Sequence, residues 1–312
     1  MIQQALKDIL SSRYTTLCVG SLPFTDPGQA VKFILDRPWI LPFWPELPQK
    51  SEKENMLSKA ERALDPEWDG YSDEEVSGLY EMRKILAVQD KQPALIKCQL
   101  MGPISHALYS DRLSGGLVER LDVTVAACLR QIEWQRTFLS ELNTELLFVL
   151  DEPALSEWST FNDKMRKKAL DALSYIYVQG GEKGLYLGLH TCSAFDIEFL
   201  KFPIELISFD LLTIGFGKVF SNALKKGWRD ALQRRVVIVP GIVPAVCEAN
   251  FKEEMSLGNL LHKKVMSYLC KLSSRKNMST LWSAGCGHAQ GTSQWPDILY
   301  TNAAVVKDIE SK

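Results

Sequence analysis

Long hydrophobic runs, an excess of one charge and glycine-rich nucleotide motifs are all missing from this sequence of 312 residues. No apolar run approaches the roughly 18 residues of a membrane-spanning helix, so a membrane partner is not expected. Lys and Arg number 36 against 38 Asp and Glu, a net charge of −2, and this balance does not favour nucleic acid as a partner. No G-x-G-x-x-G follows the first apolar run and no P-loop occurs, which excludes the common dinucleotide and phosphate fingerprints.

Export signals and disulfide bonds are not expected either. The opening segment MIQQALKDILSSRY is amphipathic and carries charges of both signs, which fits neither a secretory signal nor a targeting peptide. Seven cysteines in such a chain predict a reducing, cytoplasmic setting, where cysteine serves as core filler, metal ligand or nucleophile. Four of them lie among apolar neighbours and are expected to pack in the core: Cys18, Cys98, Cys128 and Cys270.

The chain does contain a regular alternation of short apolar runs and amphipathic stretches, the pattern of βα units around a parallel sheet. Strands are predicted at 15–21, 38–44, 94–102, 145–151, 184–192, 206–212, 236–243 and 279–285. Helices are predicted near 27–36, 74–88, 117–141, 161–178, 194–200, 218–233, 252–274 and 296–309. These repeats predict an α/β fold, a (β/α)8 TIM barrel forming one catalytic domain over residues 1–312, with an open doubly wound sheet as the alternative.

One charged segment, 48–75, interrupts this rhythm after the second predicted strand. It is poor in β-branched residues and longer than a connector between a strand and a helix requires. Two interpretations stay open. The segment is either a partly helical lid over the mouth of the barrel or an excursion on the surface.

Sulfur, imidazole and carboxylate groups follow predicted strands in three distant segments. In GLYLGLHTC (184–192), His190 and Cys192 are two residues apart on a strand and point to the same side, so both can hold one ion. Cys286 follows another apolar stretch. It lies between two glycines, which allow a close approach of the backbone. Together with Asp210, these groups match Zn²⁺, which takes imidazole nitrogen and thiolate sulfur in tetrahedral array and can leave one position for a substrate.

Several of these residues also have an interpretation without a ligand. His190 alone would fit a strand histidine bonded to a carbonyl, and Asp210 stands where acids often cap the next helix. Asp151 and Glu152 close an apolar strand, and a buried carboxylate requires a partner. That partner is a substrate ammonium, a neighbouring arginine or a helix N-terminus.

The groups at the predicted strand ends resemble the C-terminal catalytic barrel of cobalamin-independent methionine synthase. The motifs that carry the resemblance, in the family's order, are GSLPFTDP (20–27), VLDEPAL (149–155), LHTC (189–192), ELISFD (205–210), PGIV (240–243) and CG (286–287). The resemblance spans about residues 15–300 and depends on the combination of motifs rather than on one of them. The wider superfamily includes uroporphyrinogen decarboxylase and the zinc methyltransferases that make methyl-coenzyme M, which share the barrel.

The resemblance implies a stand-alone core of this family, a zinc methyltransferase of methionine biosynthesis that methylates the thiol of homocysteine. It implies that His190, Cys192 and Cys286 are the catalytic zinc ligands, with Asp210 standing where the synthases have a glutamate. The substrate site implied by the resemblance consists of a Gly-Ser pair for the homocysteine carboxylate, a strand-end acid for its ammonium and a second acid beside that ammonium. The matching residues here are Gly20, Ser21, Asp151 and Glu46.

The methyl donor is indicated by a departure from the family's pattern. Folate-using members follow their Pro-Gly-aliphatic turn with a histidine that protonates the leaving folate nitrogen, whereas PGIVPAVCEAN (240–250) has Val246 near that place. A methyl-corrinoid needs no such proton, because Co(I) departs unprotonated. We therefore expect a corrinoid-bound methyl donor, with a corrinoid carrier protein as a candidate partner.

Three other functions compete with methionine synthesis. Methyl transfer to coenzyme M uses the same thiol chemistry, but a sulfonate has no ammonium to pair with Asp151 and Glu46. Porphyrin decarboxylation by a uroporphyrinogen decarboxylase relative uses no metal and requires arginines at the mouth, and the chain has no early Arg-x-x-x-Arg pattern. A zinc-stabilised binding module is disfavoured, because the candidate ligands gather at one end of the predicted barrel.

Overall fold

The computed structural model describes residues 16–243, 251–273 and 283–284, together with Leu6, Ile9 and Leu10. The chain divides into two compact units. The first unit comprises Gly20–Arg37 and Pro42–Leu189. The second unit comprises Met1–Val19, Pro38–Leu41 and His190–Lys312.

Helices and strands alternate in the first unit, because apolar runs and amphipathic stretches alternate in its sequence. Its helices and strands are α1 (Pro27–Leu35), α2 (Met56–Arg62), α3 (Ser77–Ala87), β1 (Leu95–Met101), α4 (Pro103–Tyr109), α5 (Leu117–Phe138), β2 (Glu145–Asp151) and α6 (Asp163–Glu182). Short 3-10 helices lie at Glu52–Glu54, Ser140–Leu142 and Pro153–Thr160. β1 and β2 are parallel, with Met101 opposite Asp151 at their carboxyl ends. Every residue of β1 is buried, as expected of a parallel strand covered on both faces.

The chain next forms β3 (Tyr186–Thr191), whose last two residues belong to the second unit. The second unit continues with β4 (Leu206–Asp210), α7 (Leu211–Ile214), α8 (Phe216–Val219), α9 (Lys225–Gln233), β5 (Val237–Val243), α10 (Phe251–Cys270) and β6 (Ser283–Ala284), and a 3-10 helix covers Ile197–Lys201. β4 pairs with β5 and β5 with β6, all in parallel. In both units the strand order follows the chain order.

The first two predicted strands, 15–21 and 38–44, are held by single bridges instead of continuous ladders. These bridges are all parallel and pair Thr16 with Ile40, Ser21 with Glu46, and Phe43 with Lys97. Pro38 and Pro42 lie within the second of these segments, and Pro45 follows it directly. Proline has no N–H to donate to a ladder, so continuous pairing cannot form there.

The charged excursion at 48–75 is folded within the first unit. It contains a 3-10 helix and α2, and it buries the charged side chains of Glu54 and Lys59. Gly70 has φ +149°, and a Cβ atom there would lie 2.0 Å from Trp134 Nε1, so only glycine allows this contact with α5. The segment is therefore closely packed in its unit, while the choice between a lid and a surface excursion stays open.

Parallel strands in chain order, with helices between them, confirm the α/β barrel class predicted from the sequence. The strand predicted at 145–151 coincides with β2, whereas the helix predicted at 218–233 begins only at Lys225. Gly215, with φ +88°, separates two four-residue helices in that region. No helix among the described residues combines the length and apolar content that crossing a bilayer requires. The helix predicted at 296–309 lies outside the described residues, and a single domain over 1–312 stays a prediction.

Candidate functional site

The side chains of His190 and Cys192 meet at the end of β3. Cys192 Sγ lies 3.4 Å from His190 Nε2, and His190 Nδ1 lies 2.9 Å from Ser208 Oγ on β4. His190 and Ser208 are buried, whereas Cys192 is partly exposed. The structure thus brings two of the predicted zinc ligands together and adds a hydroxyl behind the imidazole.

The spacing of the two donor atoms fits a shared zinc ion. Bonds of about 2.0–2.1 Å to nitrogen and about 2.3 Å to sulfur, at tetrahedral angles, place the donors roughly 3.6 Å apart. The distance here is 3.4 Å. Within the part of the chain that the structure describes, no group of three or more His, Cys, Asp or Glu side chains could hold a metal. Cys286, the predicted third ligand, lies outside that part.

Asp210 caps a helix at the end of β4. Its Oδ1 accepts hydrogen bonds from the backbone N–H groups of Leu212 at 3.0 Å and Thr213 at 3.1 Å, and its Oδ2 accepts one from Thr213 Oγ1 at 2.9 Å. This is the geometry of an N-cap, which satisfies the free N–H groups of the first helical turn. The cap interpretation describes these contacts, and the role of Asp210 as a zinc ligand stays a prediction.

Three predicted substrate-binding residues lie close together in the first unit. Ser21 Oγ donates a hydrogen bond to Glu46 Oε2 at 3.0 Å, and their backbones form a parallel bridge. Gly20 has φ +152°, and a Cβ atom there would lie 2.7 Å from Gln99 Cδ. The glycine is therefore required by both its backbone conformation and its neighbour.

The second oxygen of Glu46 is occupied by a lysine from the excursion. Lys59 Nζ donates to Glu46 Oε1 at 2.6 Å and to the backbone carbonyl of Glu54 at 2.9 Å, and it lies 5.1 Å from the centre of the Trp44 ring. The side chains of Lys59 and Glu46 are only 5% and 1% exposed. An ammonium of the protein itself thus sits on the carboxylate that the resemblance assigns to a substrate ammonium. A substrate role for Glu46 stays a prediction.

The two acids that end β2 have different surroundings. Asp151 is buried opposite Met101. The Glu152 carboxylate accepts hydrogen bonds from Ile104 N at 3.0 Å, Ser105 N at 2.7 Å and Ser105 Oγ at 2.6 Å, and so caps α4. Burial raises the pKa of Glu152 to about 7, while these hydrogen bonds act in the opposite direction. The partner of the Glu152 carboxylate is therefore a helix N-terminus, one of the three expected partners. The ammonium-binding role of Asp151 stays a prediction.

A buried histidine lies on α4. His106 Nε2 is 3.8 Å from Glu61 Oε1, and no hydrogen-bond partner of either ring nitrogen is found among the described residues. Burial lowers the pKa of His106 to about 4. The ring is consequently neutral at physiological pH.

Sequence reasoning missed Lys59 and Ser208. Ser208 precedes Asp210 by two residues on a predicted strand, so the alternation of side chains could have placed it on the same side as that acid. Lys59 gave no such signal, because it is 13 residues from Glu46 in a charged segment that resembled a solvated face.

Neither a family model nor a curated protein matches this chain. It is similar to the solved structure of a xylose isomerase-like TIM barrel protein from Mycobacterium smegmatis in complex with magnesium, at 10% identity over 96% of this chain and 98% of that chain, with a TM-score of 0.47. It is also similar to a D-psicose 3-epimerase solved in the presence of D-fructose, at 10% identity over 95% and 97% of the two chains, with a TM-score of 0.45. A ruminal GH26 endo-beta-1,4-mannanase matches at 10% identity over 99% of this chain and 65% of that chain, with a TM-score of 0.44. At these identities and TM-scores, no activity is transferred from them to this chain.

Proposed function

We propose that this protein is a zinc-dependent methyltransferase that methylates the thiol of homocysteine to give methionine. The observation that supports this proposal is the 3.4 Å approach of Cys192 Sγ to His190 Nε2 at the end of a parallel strand. An imidazole nitrogen and a thiolate at this spacing are zinc donors, and the carboxyl ends of parallel strands are where barrel enzymes place their chemistry.

The predicted site residues would have distinct roles in this reaction. His190, in β3, and Cys192, just after the end of that strand, would hold the metal, and Cys286 is the predicted third ligand. Bound zinc lowers the pKa of a coordinating thiol, which otherwise titrates near ~8.5 and is mostly protonated at neutral pH. Asp151, buried at the end of β2, is the residue proposed to neutralise the substrate ammonium.

The proposed methyl donor is a corrinoid, delivered by a carrier protein. This part rests on the sequence, since Val246 stands where folate-using enzymes of the resembled family have a histidine. A donor whose leaving group departs unprotonated needs no general acid, whereas a folate nitrogen does.

A second candidate function is methyl transfer to a thiol that lacks an ammonium, as in the coenzyme M methyltransferases. The observation that favours it is the buried pair of Lys59 and Glu46, with Nζ and Oε1 2.6 Å apart. Because Lys59 already neutralises the Glu46 carboxylate, Glu46 does not need a substrate ammonium as its partner.

Proton release on thiol binding tests the proposal. Zinc-loaded protein in weak buffer near neutral pH should release about one proton per chain when L-homocysteine is added, because the metal removes the thiol proton. L-2-aminobutyrate, which has no thiol, is the matched ligand control, and Cys192→Ala is the protein control. Absence of release with every thiol would refute the proposal, and stronger release with 2-mercaptoethanesulfonate would favour the second candidate.

The donor is tested by supplying methylcobalamin or methyl-tetrahydrofolate to the zinc-loaded protein and measuring methionine. We expect methylation from methylcobalamin alone. Methionine formed from the folate would contradict the argument from Val246.

A further inference from the structure

A serine hydroxyl stands directly behind the imidazole of the proposed zinc site. Ser208 Oγ on β4 lies 2.9 Å from His190 Nδ1, while His190 Nε2 faces Cys192 Sγ at 3.4 Å. The two ring nitrogens therefore have different neighbours. Ser208 is completely buried, so its hydroxyl is not shared with bulk water.

The hydrogen bond to this hydroxyl affects which ring nitrogen can bind a metal. A neutral imidazole carries one proton, and the nitrogen without it supplies the lone pair for a metal ion. If Nε2 is the ligand, Nδ1 must carry the proton, and Ser208 Oγ is in place to accept it. A hydrogen bond from the remote N–H of a metal-binding histidine fixes the ring orientation and raises the basicity of the ligating nitrogen.

The position of Ser208 in the strand makes this contact well defined. β4 is paired with β5 from Leu206 to Asp210, with Ser208 opposite Val239 in the middle of the paired stretch. Because Ser208 is fully buried, close packing of the interior limits the movement of its hydroxyl away from the ring.

We propose that Ser208 is a positioning residue that holds His190 in the tautomer with a proton on Nδ1, in which the lone pair for the metal is on Nε2. This inference rests on the zinc site of the proposed function. It assigns Ser208 no contact with substrate, so its effect is expected on metal affinity and on the tautomer of His190.

Metal affinity of Ser208 variants tests the inference. Ser208→Ala should weaken zinc binding about 10–100-fold, measured by competition with a chromogenic chelator, and should shift the thiolate-to-metal absorption of the cobalt-substituted protein. Ser208→Thr keeps a hydroxyl on the same carbon and should restore most of the affinity. Thr124→Ala is the matched control, because Thr124 also has a buried hydroxyl, which donates to the Pro103 carbonyl at 2.9 Å within the first unit.

The tautomer provides a readout that a merely structural role would not change. Long-range nitrogen–proton correlation spectra of ¹⁵N-labelled metal-free protein should show His190 protonated on Nδ1 in the wild type and a mixture of tautomers in Ser208→Ala. Equal zinc affinity and an equal tautomer ratio in both proteins would overturn the inference. If the wild type binds zinc no better than Cys192→Ala does, the proposed zinc site itself fails, and the two failures are thereby distinguished.

Discussion

The ion pair of Lys59 and Glu46 joins two opposite charges inside the first unit. Both side chains are nearly inaccessible to solvent, and their charged atoms lie 2.6 Å apart. Removing one member of a buried pair leaves an uncompensated charge, whereas removing both together is far less costly. The lysine therefore has a structural effect larger than its surface-like sequence context suggests.

We expect Lys59→Met to lower the free energy of unfolding by about 3–5 kcal/mol, because Glu46 loses its counter-ion inside the protein. The double variant Lys59→Met/Glu46→Gln should recover part of this loss. Urea unfolding at neutral pH measures both.

Lys53 provides the control for this prediction, since its partner Glu74 is also 2.6 Å away but both side chains are mostly exposed. Lys53→Met should change stability little, because exposed pairs are screened by water. A stability of Lys59→Met equal to that of Lys53→Met would contradict the importance of the buried pair.

Among the elements, α4 depends on an acid from outside its own sequence. The helix has seven residues, and its first N–H groups are bonded by Glu152, which follows β2. A Cβ atom on Gly102 would lie 2.2 Å from Glu152 Oε1, so the glycine before the helix makes room for this carboxylate. A strand end and a helix start are thereby joined in the first unit.

Glu152→Gln should destabilise the protein by about 1–3 kcal/mol, because an amide cannot accept all the hydrogen bonds from Ile104 and Ser105 and turns an NH₂ group toward buried donors. Equilibrium unfolding in urea measures the change. Glu157→Gln, an exposed acid in the neighbouring 3-10 helix, should leave the midpoint unchanged. Identical midpoints for the two variants would argue against the cap.

The elements also show which features the sequence could predict. The sequence predicts β2 to the residue, because five apolar residues (146–150) lie between Glu145 and the two acids Asp151 and Glu152. The apolar content of 38–44 predicts a full strand, but Pro38 and Pro42 lack the N–H donors that continuous pairing requires. The sequence cannot distinguish a helix-capping Asp210 from a metal-binding Asp210, because either role requires an acid at the end of a strand.

The free energy of unfolding of the protein is linked to pH through His106. Its pKa falls from 6.5 to about 4 on folding, so the folded protein disfavours the charged ring. The unfolded chain then binds more protons between these values, and the contribution of His106 to stability is present above pH 6.5 and is lost as the pH falls toward 4. The charged groups on this side of the ring include Glu61, whose Oε1 is 3.8 Å from His106 Nε2, and Arg112, whose Nε is 3.7 Å from Glu61 Oε2.

We expect the stability difference between the wild type and His106→Leu to shift by about 3 kcal/mol against the wild type between pH 7 and pH 4, because leucine does not titrate. Glu152 titrates in the same range with the opposite sign, since its pKa is raised, and it cancels in this difference. Urea unfolding of both proteins across the range measures the shift. A constant difference would mean that the imidazole does not titrate as its burial requires.

Much of the overall architecture could be predicted, because the periodicity of apolar residues and the residue types at strand ends are local properties of the sequence. The pairing of Lys59 with Glu46 and of Ser208 with His190 could not, since both depend on how distant segments meet. The predicted zinc site lies between these two cases of predictable and unpredictable features. Two of its ligands follow from the alternation along one strand, whereas a third, Cys286, comes from a segment outside the described residues.

The buried pair also bears on how the sequence can change through evolution. Replacing Lys59 or Glu46 alone is expected to cost much stability, so a single substitution at either position should persist only where the other position also changes. Among descendants of a common ancestor, the two positions should therefore covary, both charged in some lineages and both neutral in others.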